Sequence, residues 1–594
     1  MAPARGAARA VDRRGPQRGG RSRYRADPAR RTAYDVLEAV DARDAYANLL
    51  LPRLLSDRNI TGRDAALATE LAYGTLRGLG TYDAVLAACS DRPLDRLDPP
   101  VLHVLRLGAH QLLATRVGSH AAVATSVDLA KDVAGPGASG YVNAVLRRVA
   151  TRDLEQWTPI VAPSPADDPD GYLAVRYSHP PWIVAAYREA LRAAGTSAAG
   201  ASGAGASGAL VAGASGAGAG ASGAGASGAG ASGAGASRAG ASVAGRSGAG
   251  ASDASASVAG DSVAGDSEAG IAELEAALAA GNERPRVTLA IRPGAARRDD
   301  VLPAGAEPTS WSPYGFVLAG GDPSALIAEG VAAVQDEASQ LAAVMLARTP
   351  VLPASATPPS LSPLPSPASL PEPATPPSPT SPSSPASSSS PASPPSPASP
   401  PSPAWLDMCA GPGGKARMLA GLAALDGARL VAAEVHPHRA RLVASAVDEA
   451  TTVIVADGRD PAWRDVGFER VLVDVPCTGL GALRRRPEAR WRKSPDDLIG
   501  LGQLQRELLW SALDAVRPGG VVAYVTCSPV PAETSDVVLD VAGPDATGVE
   551  ILDAPALLPD VPGLRAAADP RFAQFWPHRH GTDAIFVALL RRTA

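Results

Sequence analysis

Two cysteines fifty residues apart, Cys477 and Cys527, are the residues of this sequence best placed to do chemistry. Each follows a short apolar run rich in β-branched residues, 471–473 in the first case and 521–525 in the second. Such runs, ended by a proline or a polar cluster, predict buried strands. Both thiols then fall at carboxyl ends of strands, where an open α/β sheet binds ligands and where a thiolate can act as a nucleophile. The alternative is that both are structural cysteines, since free cysteine is among the most buried residue types.

A glycine-rich loop lies upstream and opens a predicted helix; its residues are Cys409, Ala410, Gly411, Pro412, Gly413, Gly414 and Lys415. The spacing of its glycines matches neither the GxxxxGK[ST] phosphate loop nor the GxGxxG dinucleotide motif. Acids end the next three predicted strands, at Glu434, Asp457 and Asp474, and acids at successive strand ends line one crevice. Glu434 can accept hydrogen bonds from two ribose hydroxyls and Asp457 can reach an adenine amino group, which predicts a nucleoside cofactor. The alternative is that these acids only cap the helices that follow the strands.

A basic segment follows Cys477, and its cations and single aromatic residue are Arg484, Arg485, Arg486, Arg490, Trp491, Arg492 and Lys493. Phosphate contacts from cations, combined with stacking on an indole ring, are typical of a path for single-stranded RNA. The position of this segment beside a candidate catalytic thiol favours RNA contact. The alternative is a solvated loop with no partner.

Composition limits the class of protein. The net charge of −5 over 594 residues shows that the chain as a whole is no polycation, although residues 1–31 hold ten arginines. Four cysteines without close pairing exclude a disulfide framework and suit a reducing cytosol. No uncharged and strongly apolar stretch is long enough to span a membrane, so we expect a cytoplasmic protein. The pairs His436/His438 and His578/His580 lack the further ligands of a four-ligand site, so we expect no metal.

The chain divides into seven segments on composition and periodicity. Residues 1–29 form a basic arm, predicted to be disordered and either able to touch phosphates or merely solvated. Apolar residues at helical spacing predict an all-α domain at 30–155, followed by a connecting helical segment at 156–193. Two tracts lack the apolar side chains of a core. The Ala/Gly/Ser-rich tract 194–270 is predicted to be a flexible linker, and the Pro/Ser-rich tract 349–404 is predicted to be a disordered insertion.

The remaining two segments predict sheet structure. Residues 271–348 contain one predicted strand at 287–291, flanked by helices. Residues 405–594 alternate helices with strands, which predicts a doubly wound and largely parallel sheet. The strands are predicted at 429–434, 452–456, 470–474, 521–525 and 584–589.

The motifs together resemble those of a known family. The loop at 409–415, the stretch Asp474-Val475-Pro476-Cys477 and the stretch Thr526-Cys527-Ser528 are similar to motifs of the RNA cytosine-C5 methyltransferases of the RsmB/Sun type. Segments 334–339 and 577–583 resemble two further family signatures, and segments 70–74 and 142–148 resemble the NusB-like RNA-binding domain. The two low-complexity tracts and Val475, where alanine is usual, depart from the family pattern, but neither removes a reactive group.

This resemblance implies a multidomain protein with an all-α NusB-like N-terminal domain and an α/β Rossmann-like methyltransferase domain that binds S-adenosylmethionine. It implies methyl transfer to C5 of a cytosine in RNA, with 16S rRNA as the favoured substrate. Cys527 would be the nucleophile that adds to C6, Cys477 would assist release of the methylated base, and Asp474 would hold the base and favour protonation at N3. The loop residues together with Glu434, Asp457 and Asp474 would bind the cofactor. We expect RNA as the partner and a monomeric protein.

Three alternatives stay open on the sequence alone. The substrate could be tRNA rather than rRNA. A DNA cytosine methyltransferase would use Cys477 as its nucleophile, although the Glu-Asn-Val motif of those enzymes is not found in this sequence. The chain could also be a non-catalytic NusB-like RNA-binding assembly factor, and the intact catalytic motifs count against that interpretation.

Overall fold

The computed structural model describes residues 26–200, 267–318, 323–353, 403–460, 463 and 467–594. Residues 1–25 of the basic arm lie outside this described part, as do 201–266 of the Ala/Gly/Ser tract and 354–402 of the Pro/Ser tract. The predictions of disorder and flexibility for these residues therefore stay predictions. Across the described ranges, the helices are too short or too polar to cross a bilayer.

Between residues 26 and 161, the predicted all-α domain is confirmed, and its helices pack around one core of buried leucine, valine and alanine side chains. Asp27 caps the first helix by accepting a hydrogen bond from the Arg30 amide, and Pro28 occupies its first position. Asp44 ends that helix in the left-handed conformation, with φ of 50°, so the apolar run from 33 to 55 forms two helices. The helices are α1 (Pro28–Arg43), α2 (Ala47–Asp57), α3 (Gly62–Arg77), α4 (Leu79–Cys89), α5 (Pro99–Ala114), α6 (Ser119–Val133), α7 (Ser139–Val149) and α8 (Leu154–Val161).

Three helices connect this domain to the rest of the chain: α9 (Pro169–Tyr177), α10 (Pro181–Gly200) and α11 (Glu268–Ala280). Helix α10 runs seven residues into the predicted linker, because alanine, which is frequent there, has the highest helix propensity. Helix α11 begins at Glu268, two residues before the predicted end of the same linker, and Ser267 caps it. These helices share a core with the catalytic domain, and the Tyr187 hydroxyl donates a 2.6 Å hydrogen bond to the Leu480 carbonyl.

A small antiparallel sheet follows, with the strand order β2-β3-β1-β4. The sequence predicts one strand in this region, and the structure has three more. Each has only three or four residues, which is too short for alternation of polar and apolar residues to be recognised. The elements are β1 (Thr288–Ile291), α12 (Arg298–Val301), β2 (Ala306–Pro308), β3 (Gly315–Leu318), α13 (Ser324–Ala328), β4 (Ala332–Val334) and α14 (Glu337–Arg348).

The C-terminal domain is built on a mixed sheet with helices on its faces, as the Rossmann-like prediction requires. All five predicted strands are present, and β5, β10 and β11 are additional. The elements are β5 (Ala404–Asp407), α15 (Gly414–Leu425), β6 (Arg429–Glu434), α16 (Pro437–Ala446), β7 (Thr452–Val455), β8 (Phe468–Asp474), α17 (Ala489–Arg492), α18 (Pro495–Ala515), β9 (Val516–Thr526), α19 (Ser535–Ala542), β10 (Val549–Leu552), β11 (Ala573–Gln574), α20 (Pro577–His580) and β12 (Phe586–Arg592).

The strand order of this sheet determines where a ligand can bind. Along the path β10-β12-β9-β8-β5-β6-β7, the strands from β9 to β7 are parallel neighbours, while β12 runs antiparallel to both of its neighbours, β9 and β10. The chain runs outward from β5 in both directions, first to β6 and β7 and later to β8 and β9. A crevice forms at the carboxyl ends of the strands at such a switch point. The glycine-rich loop directly follows β5 and therefore lies at this crevice.

Candidate active site at the carboxyl ends of the parallel strands

The two cysteines that the sequence singles out lie side by side. Strands β8 and β9 are parallel neighbours, with Asp474 opposite Val525, so the chain segments that leave them begin at the same edge. The sulfur atoms of Cys477 and Cys527 are 3.3 Å apart. The Val475 amide donates to the Val525 carbonyl over 3.0 Å, which keeps the two segments paired beyond the strand ends. Two thiols at this separation can share one proton.

The two thiols differ in acidity. The pKa of Cys527 is lowered, chiefly because the Cys477 thiol donates a hydrogen bond to its sulfur and also because Lys415 and Arg486 carry positive charge nearby. The pKa of Cys477 is raised well above its ordinary value, by the same bond to Cys527 and by burial. Cys527 is therefore the thiol disposed to become a thiolate, the form of cysteine that reacts as a nucleophile. Cys477 is disposed to keep its proton.

Lys415 and Asp474 form an ion pair beside the thiols. The Lys415 Nζ lies 2.8 Å from Asp474 Oδ2, and the side chains are 11% and 28% exposed. Burial acts to lower the pKa of Lys415, but the facing carboxylate outweighs it and raises that pKa above its ordinary value. The sequence predicts Lys415 as a cofactor-loop residue, and the structure adds that it brings a positive charge close to Cys527.

The loop that contains Lys415 folds closely against the next strand and helix. At Gly411, an added Cβ would lie 2.2 Å from Glu434 Oε2, so only glycine lets the loop approach that carboxylate. Gly413 has a φ of +114°, and a Cβ there would lie 2.8 Å from the Cβ of Ala446. Cys409 in the same loop has a pKa raised by burial, which makes it a poor nucleophile.

Glu434 ends β6 with its carboxylate turned toward this loop. It accepts hydrogen bonds from the Gly411 amide over 3.2 Å and from the His436 amide over 2.9 Å. The side chain is 4% exposed and lies 3.6 Å from the Arg439 guanidinium. A carboxylate has about four acceptor positions, so this one can still receive two hydroxyl groups.

Asp407 is a site residue that the sequence analysis missed. It ends β5 with its side chain fully buried, and neither of its carboxylate oxygens has a hydrogen-bond partner. Burial, together with the nearby Asp474 charge, raises the pKa of Asp407 to about 8. A signal was present in the sequence, since Asp407 directly precedes the glycine-rich loop at a strand end. With a pKa near 8, Asp407 is mostly protonated at neutral pH, so Glu434 and Asp474 supply the carboxylates of the crevice beside Lys415, which fits a ligand with a positive charge and hydroxyl groups.

Asp457 lies farther along the same edge, after β7. Its Oδ1 accepts from the Arg459 amide over 3.0 Å, and its Oδ2 is paired with the Arg459 guanidinium over 2.8 Å. The side chain is 36% exposed. The structure therefore places Asp457 at the crevice edge with a cation of the chain already on its carboxylate.

Three arginines of the basic segment are engaged by other parts of the protein, and the RNA contact that the sequence predicts for them stays a prediction. Arg484 and Arg485 each bind both Asp336 and Asp583, with N–O distances between 2.7 and 3.1 Å. This four-charge cluster ties the segment to the start of α14 and to the stretch before β12. Arg490 is fully buried and donates to the Ser178 carbonyl over 2.8 Å and to the Asn282 side chain over 2.7 Å, with further contacts to the Arg77 and Gly281 carbonyls. Spacing alone could not distinguish these interior cations from exposed ones.

The other residues of this segment lie against the N-terminal domain. Arg492 donates to the carbonyls of Val40 and Ala45, and Trp491 packs so closely on Gly80 that a Cβ there would lie 2.5 Å from the indole. Lys493 lies 3.5 Å from Asp497 at the start of α18. Arg486 is exposed, and its guanidinium lies 5.8 Å from the ring centre of the half-exposed Tyr46. The basic segment therefore joins the N-terminal and C-terminal domains. Among the six cations predicted to contact RNA, Arg486 is the one whose side chain is exposed to solvent.

The histidine pairs are not part of a metal cluster. His436 and His438 stack with ring centres 5.6 Å apart, and His578 lies 3.4 Å from Glu273. Within the described residues, no three His, Cys, Asp or Glu side chains converge to hold an ion.

Comparisons with known proteins agree with this geometry. The family model of the 16S rRNA methyltransferase RsmB/F matches residues 398–591, and that of the NusB family matches residues 27–151. The Mycobacterium tuberculosis protein Rv1407, which is named as a methyltransferase, is 39% identical over 582 residues, covering 97% of this chain and 99% of that protein. The ribosomal RNA small subunit methyltransferase B of Pseudomonas syringae pv. tomato is 26% identical over 531 residues, covering 86% and 85%. The crystal structure of PH0851 has the same fold, with a TM-score of 0.60 at 18% identity over 96% of this chain and 99% of that one.

The fold and the matches define a class of protein, the S-adenosylmethionine-dependent methyltransferases that act on RNA. The chain belongs to the RsmB/F family of that class and has a NusB-family domain in front of its catalytic domain. The residues at the crevice fit S-adenosylmethionine, since Asp474 and Glu434 bring two carboxyl groups to it and Glu434 has acceptor positions left for ribose hydroxyls.

Proposed function

We propose that this protein transfers a methyl group from S-adenosylmethionine to C5 of a cytosine in RNA, through a covalent adduct of Cys527, with 16S rRNA as the substrate. The observation that carries the proposal is the thiol pair, with its sulfur atoms 3.3 Å apart and the pKa of Cys527 lowered. The ribosomal names of its relatives favour 16S rRNA over tRNA.

Cys527 acts first, because C5 of cytosine is too poor a nucleophile to attack a methyl donor. The Cys527 sulfur adds to C6, and electron density moves to C5, which becomes able to accept a methyl group. S-adenosylmethionine, when bound, supplies that methyl group. The positive charges of Lys415 and Arg486 favour the attacking thiolate, since both lower the pKa of Cys527.

Asp474 and Cys477 support this reaction at two different points. Asp474, held by Lys415, binds the polar edge of the cytosine and favours protonation at N3 as the sulfur adds. Cys477 keeps its proton because its pKa is raised, so it can donate a hydrogen bond to the Cys527 sulfur. After methylation, C5 must lose its proton to water or another base, and the electron pair of that C–H bond re-forms the C5–C6 double bond as the Cys527 sulfur leaves C6 and the proton on N3 is given up. The hydrogen bond from Cys477 stabilises the leaving sulfur, which releases the product.

The cofactor positions follow from the crevice. The loop residues 409–415 and Asp474 would hold the methyl donor, Glu434 would accept hydrogen bonds from two ribose hydroxyls, and Asp407 would supply a carboxyl group beside them. Asp457 is the candidate for the adenine amino group, and it must then share its carboxylate with Arg459. The target cytosine has to leave any stacked helix to reach this pocket, and Arg486 at its edge is available to an RNA phosphate.

The test is methyl transfer from labelled S-adenosylmethionine to 16S rRNA, tRNA and duplex DNA in parallel, followed by mapping of the modified base. We expect label at C5 of a cytosine in 16S rRNA and none with the Cys527→Ala variant. Label in tRNA alone or in DNA alone would reassign the substrate. RNA binding without any transfer would indicate a non-catalytic assembly factor.

A further inference from the structure

Glu533 is a buried carboxylate that contacts the segment carrying Cys477. It ends the 3₁₀ turn Pro531–Glu533, six residues after Cys527, and its side chain is fully buried. Its Oε1 accepts from the Thr478 amide over 2.7 Å, and its Oε2 accepts from the Thr478 hydroxyl over 2.5 Å. Thr478 directly follows Cys477, so both carboxylate oxygens act next to that thiol.

Gln505 on α18 extends this contact to the other side of Cys477. The Gln505 Nε2 donates to Glu533 Oε1 over 3.2 Å and to the Pro476 carbonyl over 2.9 Å. Gln505 is itself fully buried, and the Tyr524 hydroxyl fixes the backbone of Glu533 by donating to its carbonyl over 2.8 Å. The residues before and after Cys477 are thus both fastened to one carboxylate that belongs to the Cys527 segment.

The charge of this carboxylate has no close cation among the described residues, since no Lys, Arg or His nitrogen lies within 4.0 Å of it. A buried charge held only by neutral donors is costly, and a neutral glutamine would satisfy a purely structural role more cheaply. The charge does act on the chemistry, because it raises the pKa of Cys477 in addition to the Cys527 bond and burial.

We infer that Glu533 is a positioning residue for methyl transfer: it holds the Cys477 segment against the Cys527 segment and so sets the separation of the two sulfur atoms. This inference rests on the proposed function, in which Cys477 assists release of the Cys527 adduct. Glu533 touches neither cofactor nor base in this scheme and acts through Thr478 and Gln505.

The first test measures how the covalent RNA adduct forms and decays in Glu533→Ala. Loss of the carboxylate frees the Cys477 segment, while Cys527 keeps its own support from the Gly481 amide, which donates to the Cys527 carbonyl over 2.8 Å. We expect adduct formation to persist and its release to slow at least about tenfold, because small misplacements of a reacting group carry large rate penalties. On a denaturing gel the protein–RNA band should accumulate, with kcat reduced and the affinity for S-adenosylmethionine unchanged in calorimetry.

The matched control is Glu337→Ala. Glu337 is another buried glutamate that fastens a loop, since its Oε1 accepts from the amides of Trp311 and Ser312 over 2.6 and 2.7 Å. Its loss should lower the unfolding temperature and leave the ratio of adduct formation to adduct release as in the wild type. Equal adduct kinetics in the two variants would show that Glu533 is only a stabilising residue and would overturn the inference.

The second test uses Glu533→Gln, which keeps the size of the side chain and removes its charge. The variant is compared with the protein that keeps Glu533, and both also carry Cys527→Ser, so that Cys477 is the reacting thiol of the pair. Peptide mass spectrometry measures the rate at which iodoacetamide alkylates Cys477. The pKa of Cys477 should fall without the negative charge, so its alkylation should become faster at a given pH below that pKa, while the half-buried Cys409 reacts as before. An unchanged titration of Cys477, or equal acceleration at Cys409, would contradict the inference.

Failure of this inference can be distinguished from failure of the proposed function. If the wild-type protein methylates RNA and Glu533→Ala releases its adduct at the wild-type rate, the inference fails alone. If the wild-type protein transfers no methyl group to any RNA, the proposed function fails, and the alkylation experiment still decides whether Glu533 acts on Cys477.

Discussion

Replacing Lys415 with methionine removes the charge that lies beside both Asp474 and Cys527. Removing one partner of a buried ion pair costs about 3–5 kcal/mol, because the other charge is left uncompensated. The Lys415 side chain is only 11% exposed, but that of Asp474 is 28% exposed, so water relieves part of the penalty. We therefore expect a loss of about 3 kcal/mol in the free energy of unfolding.

The same substitution should change the acidity of the nucleophile. Lys415 is one of the charges that lower the pKa of Cys527, so that pKa should rise in the variant. A thiolate then forms only at higher pH, and the acid limb of kcat/KM moves toward alkaline pH. Alkylation of Cys527 across neutral to alkaline pH, followed by peptide mass spectrometry, measures this shift without depending on methyl transfer.

Thermal unfolding measures the stability loss, with Arg286→Met as the control. Arg286 lies 2.6 Å from Glu307, and the two side chains are 64% and 66% exposed, so loss of this pair should cost no more than about 1 kcal/mol. A loss of about 3 kcal/mol lowers Tm by roughly 6–12 °C in a cooperative unit of 150–250 residues. Equal Tm changes in the two variants, or an unchanged Cys527 titration in Lys415→Met, would refute the reasoning.

Three further results are expected. Glu434→Ala should weaken S-adenosylmethionine binding by about 1–3 kcal/mol in calorimetry, because two ribose hydroxyls lose their acceptor, with RNA binding unchanged; equal affinity would remove Glu434 from the site. The pKa of Asp407 is raised to about 8 in the folded protein, whereas it is about 4 in the unfolded chain. Between about pH 4 and pH 8 the folded protein therefore keeps a proton that the unfolded chain has lost, and the free energy of unfolding falls as the pH rises across this range. Asp407→Asn should therefore raise Tm relative to wild type more at pH 9 than at pH 5, and equal differences would contradict the buried neutral form. Short Gly/Ser linkers in place of 201–266 and 354–402 should leave cooperative unfolding and methyl transfer intact, and loss of either would show that these tracts are more than linkers.

The sequence predicts the elements that contain the reactive groups because those elements have strong local signals. Apolar runs of three to five residues locate β6, β8 and β9, and the cysteines and acids at their ends then share one edge by the geometry of parallel strands. Short strands such as β2 and β4 leave no such pattern, and their pairing depends on contacts far apart in sequence.

The direction in which a charged side chain points is the part that the sequence does not predict. Arg484, Arg485 and Arg490 have the composition of an RNA-binding segment, and tertiary contacts turn them inward to Asp336, Asp583 and backbone carbonyls. Glu533 and Asp407 are not predicted as site residues, because Glu533 belongs to no motif and Asp407 stands before the glycine-rich loop rather than within it. The fold brings both to the crevice.

The distinct roles of the two thiols are tested most directly by a denaturing gel of each cysteine variant with substrate RNA and S-adenosylmethionine. If Cys527 bonds to C6, Cys527→Ala forms no covalent complex and transfers no methyl group. If Cys477 assists release, Cys477→Ala still attacks and methylates the base and then stays attached to the RNA. The account predicts a shifted protein–RNA band for Cys477→Ala and none for Cys527→Ala. The reverse pattern would make Cys477 the nucleophile, and full activity in both variants without any band would contradict the thiol mechanism.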